Sequence, residues 1–159
     1  MDFKSIDGVK KEGFMDFNKI SELRTGDRKI PQIPGVYFVL NPNNENAEFL
    51  EVGSGGHFKG RNPNVPIAEL KFKHVKNTVL VYIGKADNLG KRIGQLLKFG
   101  RGMNVGHYGG RYLWQLKNHE DLVICYIPSF SEDPRELEKK YIRDFEKQYG
   151  KKPFANIKG

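Results

Sequence analysis

Apolar positions fall into short unbroken runs and into longer stripes of helical spacing. Gly35-Val36-Tyr37-Phe38-Val39-Leu40 and Val79-Leu80-Val81-Tyr82-Ile83 are continuous aliphatic, β-branched or aromatic runs, the pattern of strands covered on both faces. Pro31 and Pro34 fix an extended approach to the first run, and Gly84 punctuates the second. Residues 121–127 predict a further strand ended by Pro128 and Ser129, and residues 47–52 predict a strand returning as a hairpin after the turn cluster at 41–46.

Helical spacing appears elsewhere. Phe17, Ile20 and Leu23 predict a short helix over 17–24, and residues 67–75 a short basic one. Leu89, Ile93, Leu96 and Leu97 form one stripe, so 88–98 reads as an amphipathic helix capped by Asp87 or Asn88. Residues 111–116 lean to helix. The strongest signal is 131–149: Asp133, Pro134 and Glu136 supply an N-cap, a first-turn proline and a capping-box acid. Leu137, Tyr141, Ile142, Phe145 and Tyr149 then fill an arc of roughly 140°.

Composition narrows the class. A chain of 159 residues is read as one domain, able to bury about 70% of its unfolded surface. The 27 Lys and Arg exceed the 19 Asp and Glu, and the net charge of +8 is spread through the sequence, which suits a polyanionic partner and equally a basic protein kept soluble by charge. Cys125 is the single cysteine, so no intrachain disulfide or thiolate cluster forms and an intracellular setting is favoured. No apolar run reaches the roughly 20 residues of a membrane helix, and no signal pattern opens the chain, so a soluble cytoplasmic protein without membrane association is expected.

Candidate chemistry gathers at the strand-to-helix junction after Ile83. Amide groups and the dipole of a helix start there, Lys85 adds a full charge, and Arg92 sits one turn in, roughly 40° from Leu96 at the edge of the apolar stripe. Such an arginine either snorkels or aims at a bound anion. Glu138 falls inside the apolar arc of the last helix, where a carboxylate must be paired, protonated or metal-bound. The glycine-rich loop at 53–66 is a connecting loop or a nucleic-acid contact through His57, Lys59 and Arg61, to which Arg111 is added. It is no Walker loop, because Arg61-Asn62 stands where Lys and Ser or Thr are needed. His57, His74, His107 and His119 lack the short spacing of a metal site. Strand tyrosines beside glycines, an arginine at a helix start and a misplaced carboxylate suit phosphodiester cleavage.

These residues resemble a known family. Gly35-Val36-Tyr37 and Tyr82-Ile83-Gly84 are similar to the two signatures of the GIY-YIG nucleases, with Val36 for the usual Ile. Arg92 matches the family's arginine, Glu138 its metal-binding glutamate, and Asn156 the end of a closing Pro-x-x-Asn element. The resemblance implies an α+β fold with a small central antiparallel sheet flanked by helices, and a nuclease using one Mg²⁺ or Mn²⁺ on Glu138. It also implies that Tyr37 is the general base, Tyr82 orients the attacking water and Arg92 stabilises the phosphate, with Lys85 assisting and Gly35 and Gly84 as turn glycines. Leu96 stands where many members carry a His or Tyr, and His107 or Tyr108 is the expected substitute.

The expected layout is an N-terminal extension over 1–30 packed on a domain over 31–159, with an insertion over about 41–77 that sets specificity. The expected substrate is DNA. A binding module without catalysis and an RNA-directed nuclease are the alternatives. Targeting falls to this domain, a homodimer or a partner protein.

Overall fold

The run at 35–40 forms strand β2 (Gly35–Leu40), all of whose residues are buried. In the computed structural model, which describes residues 1–26 and 29–157, β2 lies between β3 (Leu80–Ala86) and β4 (Val123–Pro128), antiparallel to both. The parts of the expected 1–30 and 31–159 segments at 27–28 and 158–159 lie outside the described residues. A further strand, β1 (Met15–Lys19), pairs with the far side of β4, and the antiparallel sheet runs β1-β4-β2-β3.

Alternation along β2 divides the interior in two. Val36, Phe38 and Leu40 join Phe3, Val9, Phe14, Cys125 and the stripe Leu137, Tyr141 and Phe145 on one face. Val9 lies on α1 (Ile6–Lys11), and the stripe belongs to α5 (Pro134–Tyr149). Tyr37 and Val39 face the other way, onto Leu89, Ile93 and Leu96 of α4 (Leu89–Gly100), and onto Trp114, Leu116 and Phe154. Ile20 and Leu23 of α2 (Ile20–Arg24) and Leu70 of α3 (Ile67–Lys73) close that second core. The fold is mixed α and β, an antiparallel sheet with helices on both faces, and no described helix is long and apolar enough to cross a membrane.

Several expectations need correction. Phe17–Lys19 is strand because β4 offers a free edge; the helix starts only at Ile20, where the Glu22 carboxylate accepts from the Lys19 amide at 2.8 Å. The apolar spacing of 17–24 is thus shared between two elements, with Phe17 against the first core and Ile20 and Leu23 in the second. Residues 47–52 form no hairpin. Both edges of β2 are taken, and only the bridge Phe49↔Leu116 is made. The second apolar run does not stop at Gly84 but continues as strand to Ala86. Residues 111–115 are helical but 3₁₀, within Tyr108–Gln115, and Leu116 is extended and bridges Phe49. Asp133 caps α5 by accepting from the Arg135 amide at 2.9 Å, whereas Glu136 pairs with Lys139 at 3.6 Å and makes no capping box.

The insertion contains α3 and two 3₁₀ turns, and one buried side chain fastens it. Gln115 donates through Nε2 to the carbonyls of Leu50 (3.0 Å) and Val65 (2.9 Å), and its Oε1 accepts from the Val65 amide at 3.0 Å. One amide thereby satisfies backbone groups that a buried loop would otherwise leave bare. Gln115→Leu keeps the volume and removes these bonds. It is expected to cost about 1–3 kcal/mol in urea unfolding and to speed amide exchange within residues 50–66; unchanged exchange there would refute the fastening.

Candidate active site

The register of β2 on β3 sets Tyr37 opposite Gly84. A Cβ at position 84 would stand 2.2 Å from Tyr37 Cζ, so only glycine lets the phenol ring lie across the neighbouring strand. Gly35 is excluded from carrying a side chain in the same way, by the Ile127 carbonyl at 2.4 Å. Both glycines were expected at turns. They lie within strands, where their role is close approach.

Tyr82, two residues before Gly84, turns its ring to the same side, with centroids 6.1 Å apart from Tyr37. Tyr37 is fully buried. Burial, then the neighbouring Tyr82, hold its hydroxyl well above the ordinary phenol range, against a smaller downward pull from Arg92. Tyr82 is pushed up to about 12, again by burial first and against Arg92. His107 arrives from the loop after α4 and places Nε2 2.8 Å from the Tyr37 hydroxyl. Burial and the Arg92 charge pull it down to about 3, so the imidazole is neutral near pH 7, and its Nδ1 is buried without a hydrogen-bond partner among the described residues. Of the two expected substitutes, His107 therefore reaches the site. Tyr108 turns away: its hydroxyl donates to the Asn62 carbonyl at 3.0 Å, and the guanidinium groups of Arg61 and Arg111 lie 4.6 and 4.2 Å from its ring centroid.

Asn88 caps α4 by accepting from the Lys91 amide at 3.0 Å, which aims the first turn at the β3 end. Arg92 follows, half-buried. Its Nη1 donates to Gln95 Oε1 at 2.9 Å and to the Gly106 carbonyl at 2.5 Å, directly before His107. From α5, Glu138 comes up beside β3. Burial raises its carboxyl above the usual range, while the Lys85 ammonium and amide and then Arg135 work against that rise. Tyr37, Tyr82, Lys85, Arg92 and Glu138 line one cavity of about 480 Å³. Three separate stretches of sequence, β2, the β3–α4 junction and α5, thus deliver two phenols, two cations and one carboxylate to a single volume.

Asn156 lies behind this cavity. It accepts from the Ile83 amide and donates to the Ile83 carbonyl, both at 2.9 Å, holding the free edge of β3 between Tyr82 and Gly84. Lys59, Arg61 and Arg111 do not line the cavity; Arg61 and Arg111 meet at Tyr108, and Lys59 Nζ lies 5.2 Å from the Phe58 ring centroid. Sequence reasoning missed Gln95 and the Gly106 carbonyl as partners of Arg92. Gln95 stands at i+3 from Arg92, a spacing that places both on one helix face; the carbonyl has no sequence signal.

Glu138 forms no ion pair among the described residues, and no group of three or more His, Cys, Asp or Glu there is placed to cage a metal. A partly desolvated carboxylate with no acidic, His or Cys cluster beside it among the described residues, facing a polar cavity, fits a Mg²⁺-type ion, which keeps several waters and takes substrate oxygens, and does not fit a zinc cage. No protein-family model, curated protein or solved structure matches the chain.

His107 gives a pH signature. Its folded pKa lies below the unfolded value of 6.5, so the unfolded chain binds the extra proton and stability falls as pH drops below about 6.5. Between pH 7 and 5 this amounts to about 2 kcal/mol. Urea unfolding of His107→Gln is expected to show a loss over that interval smaller by a comparable amount; equal losses would mean that His107 is not held neutral.

Proposed function

We propose that this chain is a divalent-metal-dependent nuclease of the GIY-YIG type that hydrolyses phosphodiester bonds, with DNA as the first substrate class. The observation that carries this reading is the single cavity lined by Tyr37, Tyr82, Lys85, Arg92 and Glu138. Tyrosines packed only for bulk need no cation beside them, and Glu138 keeps its carboxyl on the cavity, with Lys85 as its main charged neighbour. The antiparallel sheet flanked by helices is compatible with the same reading.

Each group has a task suited to its surroundings. Arg92 and Lys85 bind the scissile phosphate and meet the charge that grows on its oxygens in the transition state. Tyr82 orients the attacking water. Tyr37, once it is the phenolate, accepts its proton, and neutral His107, with Nε2 within hydrogen-bond reach of the phenol oxygen, holds that oxygen in place. Tyr37 is a poor base while buried, so the pair works only when the positive charge of the loaded cavity favours the phenolate. Glu138 would hold the Mg²⁺ or Mn²⁺. Such an ion, when bound, supplies Lewis-acid stabilisation to the departing 3′ oxygen. Asn156 is a positioning residue, acting through the backbone of β3.

A nucleic-acid-binding module without catalysis is the second reading, and the complete burial of Tyr37 favours it. Incubation of labelled DNA and RNA with Mg²⁺ or Mn²⁺ separates the readings. Cleavage is expected in DNA first, with Arg92→Ala lowering turnover by about 10²–10³ and Glu138→Gln removing metal-dependent cleavage. Because the Glu138 carboxyl titrates above the usual range, metal-dependent activity is expected to fade on acidification at a higher pH than an ordinary glutamate would give. Full cleavage by Glu138→Gln would overturn the metal role, and salt-sensitive binding without cleavage would leave the binding module.

A further inference from the structure

The active-site cavity does not end at Glu138. Tyr82 and Glu138 also line a second hollow of about 410 Å³, and this one shares Asn156 and Ile157 with a third of about 470 Å³. Shared lining residues set the three side by side along one trough-like face, running from the start of α4, past Glu138, along α5 and the residues after it to the end of α3. Its charge changes along the way. Lys139 and Arg143 line the middle section together with Glu138 and Glu146, whereas no Asp or Glu among the described residues lines the far section, which carries Lys73 and Lys151.

At the far end stands Phe72, 77% exposed on α3. It belongs to neither core, and its ring lies beside the Lys151 ammonium, 5.9 Å from the ring centroid, with most of its surface open to water. The backbone beneath the ring is fixed in place. The Lys151 ammonium donates to the carbonyls of Phe72 (3.0 Å) and His74 (2.9 Å), fastening the end of α3 to the segment after α5. A cationic groove ending in an aromatic platform is the arrangement that holds single-stranded nucleic acid, in which phosphates follow the charges and a base stacks on the ring. Bases inside a duplex are stacked on each other and present no face to such a platform.

Resting on the nuclease reading for the scissile end, we propose that the trough binds the strand leaving the active site as an unpaired segment, with one base stacked on Phe72. The substrate class is then DNA or RNA with a single-stranded flank, not continuous duplex.

Fluorescence anisotropy without divalent ions tests this apart from cleavage, using a labelled single strand of about 20 nucleotides, long enough to fill such a groove, and a blunt duplex of the same sequence. Phe72→Ala is expected to weaken single-strand binding about tenfold and to leave duplex binding unchanged. Phe72→Trp is expected to restore the affinity, and Arg143→Ala to weaken it in a salt-dependent way. Wild-type affinity in Phe72→Ala, an equal loss for both ligands, or no binding of single strand by the wild type would each overturn the proposal. If the wild type cleaves DNA while Phe72→Ala binds normally, the trough fails and the nuclease reading stands. If it cleaves nothing while Phe72→Ala loses single-strand affinity, the trough stands and the nuclease reading fails.

Discussion

Everything at this site depends on how closely Tyr37 can lie against the backbone of β3. The ring occupies the space where a side chain at position 84 would be, and this contact works only in one register of the two strands. Register then decides which residues face α4. A slip of one position would turn Tyr37 toward the Phe38 side of the sheet and expose Val36 to the cavity. Gly84 therefore specifies orientation more than flexibility, and the residues on either side of it, Ile83 and Lys85, inherit their directions from it. The clamp of Asn156 on Ile83 secures the same stretch from its outer edge.

Chemistry and folding pull the tyrosines in opposite directions. Burial locks both rings and fixes their hydroxyls, but it also opposes ionisation of Tyr37 and Tyr82. Arg92 is the one group that lowers the acidity barrier for both phenols and, in the same position, adds to the burial that keeps His107 neutral. It is held in that position by a loop carbonyl and by Gln95. A single guanidinium thus couples the phosphate-binding end of the cavity to the state of its proton-accepting end.

Much of this arrangement was legible in the sequence, and the reasons differ by element. Continuous apolar runs announced β2 and β3, and a proline after an N-cap announced α5, because burial and capping are local and leave local marks. Glu138 was legible as an intruder in an apolar arc. Phe17–Lys19 was misread because its partner, β4, lies far along the chain, so that no local pattern separates strand from helix there. The missing hairpin at 47–52 failed for the same reason: strand propensity cannot reveal that both edges of β2 are occupied. His107 and Tyr108 were equally good candidates in sequence. Their different roles follow from which way the loop turns, with Arg61 and Arg111 drawing the Tyr108 ring to themselves.

The pairing of β1 with β4 also constrains how the molecule is assembled. Tyr126 donates a hydrogen bond to the Asp16 carboxylate across a separation of 110 positions, and the two strands join only at this distance. Closing so large a loop is slow compared with forming a helix or a neighbouring strand pair. The segment that comes early in translation can take its place only once β4, about a hundred residues later, has been made. Until then its apolar residues, Phe14 and Phe17, have no settled partner, and the open side of β4 is the surface on which a nascent chain could pair wrongly.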